Sequence, residues 1–315
     1  MYSKESLNAV EVAELLNITK NTVYELVKRG DLPGYKIGKK LRIDKCDVDK
    51  YISAQKSNNK KSTSKTKEPV ILNSEAISDT SKDIIIAGQD SILDILAEHI
   101  KSNAQDLRIL RSNVGSYTNL YDLYNDKISV CSSHLWDGDN NEYNHEYVKR
   151  LLPGVPCVLI NLAYRMQGFY VAKGNPHNIK TWTDLTNPDI SMINREKGSG
   201  TRVLLDEKLR INNIDFNDIV GYKTERNSHL SVASSIVRGE GNVGMGIEKV
   251  AFLVKGIDFL PIQKERYDIV IKKSDLSSPI YQTIVETIKS EEFKTSIEGL
   301  SGYDLRDIGK IVSTT

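Results

Sequence analysis

From Asp83 onward, short apolar runs typical of β-strands alternate with longer amphipathic runs typical of helices. The strand-like runs include "DIIIAG" and "KISVCSS", and the helical runs include "SILDILAEHIK" and "YTNLYDLY". A strand that is followed by a helix usually returns to the same sheet as a parallel neighbour. The alternation therefore predicts an α/β fold, with a mostly parallel sheet flanked by helices.

A polar tract at residues 55–81, "QKSNNKKSTSKTKEPVILNSEAISDTS", separates this body from the N-terminal segment. It is rich in Lys, Ser, Thr and Asn and poor in aromatic residues, which is typical of a flexible linker. The chain of 315 residues is long enough for two or three domains. We therefore expect a small domain at 1–54, a linker at 55–81 and a ligand-binding body at 82–315.

Charge and cysteine content narrow the choice of partners. The net charge is +1, but the first 67 residues carry +7 and the remainder −6. This asymmetry suggests that the N-terminal end meets a polyanion, although part of the surplus lies in the linker. The three scattered cysteines form no CxxC, the N-terminus has no signal-like apolar core, and no apolar run could span a bilayer. We expect a cytoplasmic protein with no membrane partner.

The N-terminal segment has the pattern of two short helices joined by a turn. Thr19 is placed to cap the second helix, and Gly30 suits its C-terminal stop. The side chains expected to face inward are Val10, Ala13 and Leu16 in the first helix and Val23, Leu26 and Val27 in the second. This arrangement predicts a helix-turn-helix unit.

The next stretch, "LPGYKIGKKLRI", alternates apolar and polar residues around a basic turn, which predicts a β-hairpin wing before a helix capped at Asp44. Exposed side chains of the second helix could reach base edges, and wing cations could neutralise phosphates. The predicted DNA-binding residues are Lys20, Asn21, Thr22, Tyr24, Lys28, Lys36, Lys39, Lys40 and Arg42. The segment "AVEVAELLNITKNTVYELVKRGDLPGYKIGKKLRIDKCDVDKYI" resembles the excisionase-type winged helix-turn-helix, a family that serves both transcription regulators and recombination accessory factors.

The stretch "NREKGSGTR" at 194–202 lies between a strand-like run and the helical "TRVLLDEKLRI". A helix N-terminus presents free backbone N–H groups and a positive dipole end, so it can bind an anion. Ser199 and Thr201 add hydroxyl donors, and Arg195 and Arg202 add charge. The alternative is a plain capped turn that binds nothing.

Three other strand-to-helix junctions carry polar residues of the same kind. They lie in "AGQDSILD", "NVGSYTNLYDL" and "SVCSSHLWD". Their candidate ligand-binding residues are Asp90, Ser91, Ser116, Ser133 and His134. Because the carboxyl ends of parallel strands meet at one edge of a sheet, we expect these junctions to converge on one ligand site.

The body as a whole resembles the two-lobe, type II periplasmic-binding-protein (PBP) fold in its regulator-associated form. The resemblance rests on blocks such as "LINLAYRMQGFYVAKGNP", "NREKGSGTR" and "GYKTERNSHLSVASSIVRGEGNVGMGIEKVA". It implies lobes joined by strands near "CVLINLAYRMQGFYVA" and "ERYDIVIKK". Phosphate and tungstate receptors of this fold carry a similar Arg-x-x-x-Ser-Gly-Thr turn, matched here by Arg195, Ser199, Gly200 and Thr201, and Tyr164 and Arg165 are further ligand candidates. Fusions of related domains to molybdenum-cofactor biosynthesis proteins imply molybdate or tungstate.

Nothing in the sequence forms a convincing nucleophile–base unit or metal site, and "GEGNVG" lies between a helix and a strand, the reverse of a dinucleotide fingerprint. We therefore expect no catalytic residue, no metal and no cofactor other than an oxyanion effector. The predicted function is a homodimeric, one-component transcription regulator that binds double-stranded DNA and a small anion. Two alternatives remain: an enzyme acting on a small anionic substrate, and a recombination accessory protein whose body only oligomerises.

Overall fold

The computed structural model describes residues 6–16, 18–29, 32–38, 40–48, 51, 83–104 and 107–315. The predicted linker, Gly30 and Lys39 lie outside these residues, as does the side chain of Lys36. The chain divides into an N-terminal unit, Met1–Asn73, and a C-terminal unit, Ser74–Thr315. No helix among the described residues has both the length and the apolar character that a membrane span requires.

The N-terminal unit has the predicted two helices and hairpin. Its elements are β1 (Ser6–Asn8), α1 (Ala9–Leu16), α2 (Lys20–Arg29), β2 (Tyr35–Ile37) and β3 (Lys40–Asp44), and residues 45–48 are again helical. Strand β3 is central and pairs antiparallel with both β2 and β1. The hairpin β2–β3 is the wing, and β1 adds a strand that the sequence pattern did not predict.

Capping residues fix where α1 and α2 begin, and the start of a helix decides which of its side chains face the core. Thr19 Oγ1 accepts a hydrogen bond of 3.3 Å from Thr22 N, which confirms the predicted cap of α2. Asn8 caps α1 by accepting from Val10 N at 2.8 Å. The prediction that Val10 faces the core is wrong, because its side chain is 46% exposed. The helix starts at Ala9, so the buried stripe runs through Ala9, Val12 and Ala13, and Val10 lies on the opposite face.

The first half of the C-terminal unit ends in a long strand. Its elements are β4 (Ile84–Ala87), α3 (Ile92–Asn103), β5 (Ile109–Ser112), α4 (Ser116–Tyr124), β6 (Val130–Ser133), β7 (Trp136–Asp137), β8 (Glu142–Tyr143), α5 (His145–Leu151) and β9 (Cys157–Ala172). The second half contains another long strand, β13. Its elements are β10 (Met192–Arg195), α6 (Gly200–Ile211), β11 (Glu225–Arg226), α7 (His229–Val237), β12 (Val243–Ile247), α8 (Glu248–Leu253), β13 (Ile257–Lys272), α9 (Pro279–Lys289), α10 (Glu291–Glu298) and β14 (Ile311–Thr314).

Strands β7 and β8 pair only with each other, and the other strands of this unit form one sheet in the order β11-β10-β12-β9-β13-β6-β4-β5, with β14 also paired with β9, among the residues that the structure describes. Strand β4 is parallel to β5 and β6 at one end, and β10 is parallel to β11 and β12 at the other. We call the part built on β4–β6 lobe 1 and the part built on β10–β12 lobe 2. The antiparallel pair β9 and β13, 16 residues each, belongs to both lobes. The two lobes and the joining strands confirm the predicted fold class. The prediction of a mostly parallel sheet is wrong, because the long strands β9 and β13 pair antiparallel with each other and with their neighbours, which makes the sheet mixed.

Alternation along β9 explains how one sheet supports two apolar layers in lobe 1. Val158 and Ile160 pack with Ile86 on one face, whereas Cys157 and Leu159 pack on the other. Successive strand side chains point to opposite faces, so an unbroken apolar run is buried on both sides. Each fully buried side chain of this size contributes roughly 1.5–3 kcal/mol, which anchors the strand that continues into lobe 2.

Candidate ligand-binding cleft and DNA interface

A cleft of ≈ 500 Å³ is lined by residues of both lobes. Most of its wall consists of loops that leave a strand and begin a helix. Lobe 1 contributes residues 88–91, 113–116 and 134, and lobe 2 contributes 227–230 and several residues between 247 and 253. Arg165 of β9 and Tyr267 of β13 also line the cleft. Three of the four predicted junctions therefore line one cleft, whereas the junction at 194–202 does not.

Gly88 shows why the first loop has its sequence. Its φ is +146°, a conformation that side chains rarely adopt, and a Cβ at this position would lie 2.0 Å from Ser132 Oγ. Glycine is required because the backbone leaves β4 directly against the neighbouring strand β6. The chain then continues to Asp90 and Ser91, which lie in the cleft wall at the start of α3.

Arg165 is the charged centre of the cleft, and its side chain is 3% exposed. Its Nη1 donates to Asp90 Oδ2 at 2.5 Å, its Nη2 lies 2.5 Å from Glu265 Oε1, and its guanidinium lies 3.8 Å from the centre of the Tyr267 ring. Burial alone would raise the pKa values of Asp90 and Glu265, but the guanidinium of Arg165 lowers both below their ordinary values. The cleft therefore holds a cation already paired with two carboxylates.

Asp90 also ends the first loop of lobe 1. Its Oδ1 accepts hydrogen bonds from Ile92 N at 2.9 Å and from the hydroxyl of Tyr303. Asp90 thus bonds the first N–H group of α3 and binds Arg165 at the same time, and its charge is compensated within the protein. A carboxylate so engaged places no free negative charge in the cleft.

His134 fills the space beside the glycine-rich turn. Its Nδ1 lies 2.6 Å from Glu265 Oε2, and a Cβ on Gly200 would lie 2.4 Å from His134 Cε1. Gln167 Nε2 donates to Thr201 Oγ1 at 2.9 Å and to Glu265 Oε2 at 2.7 Å. The Thr201 hydroxyl and the surface of Gly200 therefore face protein groups rather than an open cavity.

Ser199, Arg202 and Arg195 of "NREKGSGTR" are also engaged by the protein. Ser199 Oγ accepts from Arg202 N at 3.2 Å and caps α6, which is the alternative that the sequence left open. Arg202 donates to Asp206 and stacks on Tyr222, 4.2 Å from the ring centre. Arg195 is 1% exposed and does not line the cleft, so it can affect a ligand only through the residues to which it is hydrogen-bonded.

The structure therefore divides the predicted ligand residues into two groups. Those lining the cleft are Asp90, Ser91, Ser116, His134 and Arg165. Those outside the lining are Ser133, Tyr164, Arg195, Ser199, Gly200, Thr201 and Arg202. Ser133 is completely buried, and the Tyr164 hydroxyl donates to Asp307 Oδ2 at 2.8 Å. Direct ligand contact by the second group would require these contacts to open.

Lobe 2 supplies cleft residues that the sequence reasoning missed, chiefly Ser228, His229 and Lys249. Ser228 forms a capping box with Ser231 at the start of α7. His229 and Lys249 each follow a short strand and begin a helix, the same order that identified the other junctions. That order was available in the sequence, but the strand β11 is only two residues long and gives a weak signal.

The lobes contact each other around the cleft. Lys249 Nζ of lobe 2 donates to Ser91 Oγ at 2.6 Å and to the Tyr303 hydroxyl at 2.8 Å. Gln89 Nε2 of lobe 1 donates to Glu196 Oε1 at 3.1 Å. These contacts join the two lobes across the cleft, and they are the ones that an opening motion would break.

The candidate DNA interface belongs to the N-terminal unit. Lys20, Asn21, Thr22, Tyr24 and Lys28 are exposed along α2, as predicted for a recognition helix. On the wing, Lys40 is exposed and Arg42 is half-buried. Exposure permits contact with bases and phosphates, and the individual DNA contacts stay predictions.

Comparison with known proteins agrees with both units. A family model described as "PBP superfamily domain" matches residues 97–289, and one described as "Helix-turn-helix domain" matches residues 6–56. The uncharacterized protein YvgK of Bacillus subtilis (strain 168) is 38% identical over 315 residues, 100% of both chains.

Two solved structures illustrate the fold of the body. A putative phosphate ABC transporter substrate-binding protein from Clostridium perfringens, with bound phosphate, has a TM-score of 0.53 at 16% identity and covers 71% of this chain and 100% of its own. The tungstate ABC transporter structure from Geobacter sulfurreducens has a TM-score of 0.51 at 14% identity, covering 69% of this chain and 98% of its own. At these identities the likeness shows the fold alone.

Proposed function

Because the chain belongs to the PBP superfamily and carries an N-terminal helix-turn-helix domain, we propose that it is a one-component transcription regulator. In this proposal the winged helix-turn-helix binds double-stranded DNA, and a small anion in the cleft controls that binding. The protein works as a cytoplasmic homodimer, because paired recognition helices match two half-sites of an operator. It has no catalytic activity.

The observation that carries the proposal is the convergence of hydrogen-bond donors on the cleft. Helices α4 and α7 begin there, as does α3, whose first N–H groups already bond to Asp90, and the hydroxyl-bearing residues Ser91, Ser116 and Ser228 line the cleft. Helix starts present N–H groups and a positive dipole end, which favours an anion. Lys249 adds a positive charge beside them. Of the acidic residues in the lining, Asp90 is paired with Arg165 and Asp94 with Arg111.

The first ligand class to test is a tetrahedral oxyanion, with molybdate and tungstate as leading candidates. Support comes from the sequence resemblance to regulator-associated domains and from the shared fold of phosphate and tungstate receptors. The cleft volume of ≈ 500 Å³ supports a second class, a small organic anion, since clefts of roughly 300–1,000 Å³ hold larger organic ligands. Apolar side chains of Leu230, Val250 and Leu253 in the lining favour that second class.

Control of DNA binding follows from a difference in affinity between open and closed lobes. An anion that contacts Ser91 on lobe 1 and Lys249 on lobe 2 at once binds the closed form better. A differential affinity of roughly 10- to 100-fold supplies about 1.4–2.8 kcal/mol of coupling, which is enough to change DNA occupancy. In a dimer, lobe closure then changes the spacing of the two DNA-binding domains.

The test uses the full-length protein. Thermal unfolding is measured with molybdate, tungstate, sulfate, phosphate and citrate, and an anion present at 100 times its dissociation constant should add about 2.7 kcal/mol of stability. DNA selected from a random pool by the anion-free protein then reports affinity with and without the stabilising anion. We expect at least a roughly 10-fold change. Lys249→Met should abolish the response, and Lys255→Met, an exposed control, should preserve it.

Three results would redirect the proposal. An anion that binds without changing DNA affinity would favour the recombination accessory protein, whose body has no sensory role. Turnover of a small anionic substrate by the purified protein would favour the enzyme. A stabilising anion and an unchanged response in Lys249→Met would place the anion elsewhere in the protein.

A further inference from the structure

His229 stands where lobe 2 meets the cleft. It is the first residue of α7, follows the capping residue Ser228 and belongs to the cleft lining. The N-terminus of α7 is already capped by the Ser228–Ser231 capping box. The imidazole is therefore free of a capping role, and its two ring nitrogens have different surroundings.

Arg195 determines which ring nitrogen carries the proton. Arg195 Nη1 lies 3.1 Å from His229 Nδ1, and a guanidinium can only donate hydrogen bonds. His229 Nδ1 must therefore accept, so the ring proton is on Nε2. Arg195 is itself held by Glu196, 2.7 Å from its Nε, and by Gln89, 2.6 Å from its Nη2. Glu196, Gln89 and His229 together leave the Arg195 guanidinium little freedom to rotate away from the imidazole.

The charge state of His229 follows from the same surroundings. Burial and the adjacent Arg195 guanidinium lower the pKa of His229 well below its ordinary value of 6.5, and Arg165 and His134 act in the same direction. The imidazole stays neutral at neutral pH. It therefore presents one fixed N–H donor to its surroundings.

Two donors of cleft-lining residues have no protein acceptor, and they differ in burial. Within the described part of the chain, neither His229 Nε2 nor Arg165 Nε has a hydrogen-bond partner, and the Arg165 side chain is 3% exposed. Both residues line the same cleft, one from lobe 2 and one from the connecting strand. Arg165 Nε is completely buried, so the donor that faces the cleft is His229 Nε2, and such a donor is satisfied by a ligand that brings an acceptor oxygen.

We propose that His229 is a ligand-contacting residue that donates its Nε2–H to an oxygen of the bound anion, and that Arg195 is the positioning residue that fixes this tautomer. The inference rests on the proposed function, because it assigns a contact to the anion of the same cleft. It also gives Arg195 of "NREKGSGTR" an indirect role in place of the direct ligand contact that the sequence predicted.

The first test needs no ligand. Nitrogen-15 NMR of the imidazole groups distinguishes the two neutral tautomers and follows their titration. We expect His229 to carry its proton on Nε2 and to remain neutral between pH 7.5 and pH 6. In Arg195→Met, we expect a mixture of tautomers. A wild-type His229 protonated on Nδ1, or titrating near its ordinary pKa, would overturn the inference whatever the ligand.

The second test measures affinity for the tightest binder among molybdate, tungstate, sulfate, phosphate and citrate. His229→Phe keeps a ring but has no donor, and we expect at least a roughly 10-fold loss of affinity, typical of a hydrogen bond to a charged group. His229→Gln places an amide N–H near the Nε2 position and should recover most of it. His177→Phe, at an exposed histidine bonded to Asn242, is the matched control and should bind normally.

The outcomes separate the two proposals. Equal affinity in wild type and His229→Phe, with the NMR signal of Nε2 unmoved by the anion, would refute the role of His229 and leave the regulator standing. If none of the five anions binds, the proposed ligand classes fail, and the tautomer measurement still decides whether Arg195 fixes His229. A selective loss in His229→Phe with recovery in His229→Gln supports the inference.

Discussion

Arg165 and Glu265 are direct partners on β9 and β13, and their charged groups lie 2.5 Å apart where the two strands pass between the lobes. Both side chains are almost completely buried. Asp90 binds the other side of the same guanidinium, also at 2.5 Å. One buried cation therefore connects the cleft wall with both strands that join the lobes, so the stability of the body and the shape of the cleft depend on the same contacts.

Replacing Arg165 with Met should strongly destabilise the C-terminal unit. The change leaves Asp90 and Glu265 buried without their cation, and breaking a buried pair in this way costs about 3–5 kcal/mol. Urea unfolding at neutral pH measures the effect. Lys173→Met removes the cation of an exposed pair with Asp258 and should change the unfolding free energy little. Equal effects of the two substitutions would contradict the structure.

Acid should destabilise the body through Asp90 and Glu265. Folding lowers their pKa values below 3.8 and 4.5, so their stabilisation is complete above those ordinary values and is lost as pH falls through the lowered ones. Asp268 acts in the opposite sense, since burial raises its pKa and its contribution is lost as pH rises. Unfolding free energies between pH 7 and pH 3 should fall on acidification, less steeply in Asp90→Asn. An unchanged slope in that variant would argue against the assigned shift of Asp90.

Gly200→Ala tests the packing of the glycine-rich turn. A methyl group would lie 2.4 Å from the His134 ring and push it away from Glu265, and overpacking of this kind costs about 1–3 kcal/mol. Gly299→Ala is the matched control, because no atom lies within 4 Å of a Cβ there and the backbone has a helical φ of −72°. The control should be neutral or slightly stabilising. A neutral Gly200→Ala would mean that His134 does not fill this space.

Substitutions on the N-terminal unit should separate base contacts from phosphate contacts. Lys40→Ala on the wing should weaken binding to all DNA sequences and reduce the salt dependence by roughly one counterion. Asn21→Ala on α2 should cost about 1–3 kcal/mol only at the base pair that it reads. Fluorescence anisotropy at several salt concentrations measures both. Lys180→Ala, in the C-terminal unit, is the control and should bind DNA as the wild type does. If Lys40→Ala, Asn21→Ala and Lys180→Ala all weakened binding equally at every sequence, the assignment of Lys40 to phosphates and Asn21 to a base would be ruled out.

Local signals in the sequence were sufficient to predict most of the helices and strands. Thr19 caps α2 because its hydroxyl needs only a backbone N–H three residues away, and the run Cys157–Ala172 forms one strand because most of its residues are apolar. The order of strands and polar helix starts also located the cleft in lobe 1, through Asp90, Ser91 and Ser116. These predictions depend on neighbours within a few residues, which the sequence displays directly.

The sequence by itself determined the two kinds of domain and the strand ends at which a ligand would be held, since periodicity and capping are short-range. Only the tertiary structure decided which polar groups reach the cleft. Arg195 meets His229, and Gly200 meets the His134 ring, across separations of 34 and 66 residues. Those contacts arise when the sheet brings distant helix starts together, and no local pattern shows whether a hydroxyl or guanidinium will meet a ligand or another part of the chain.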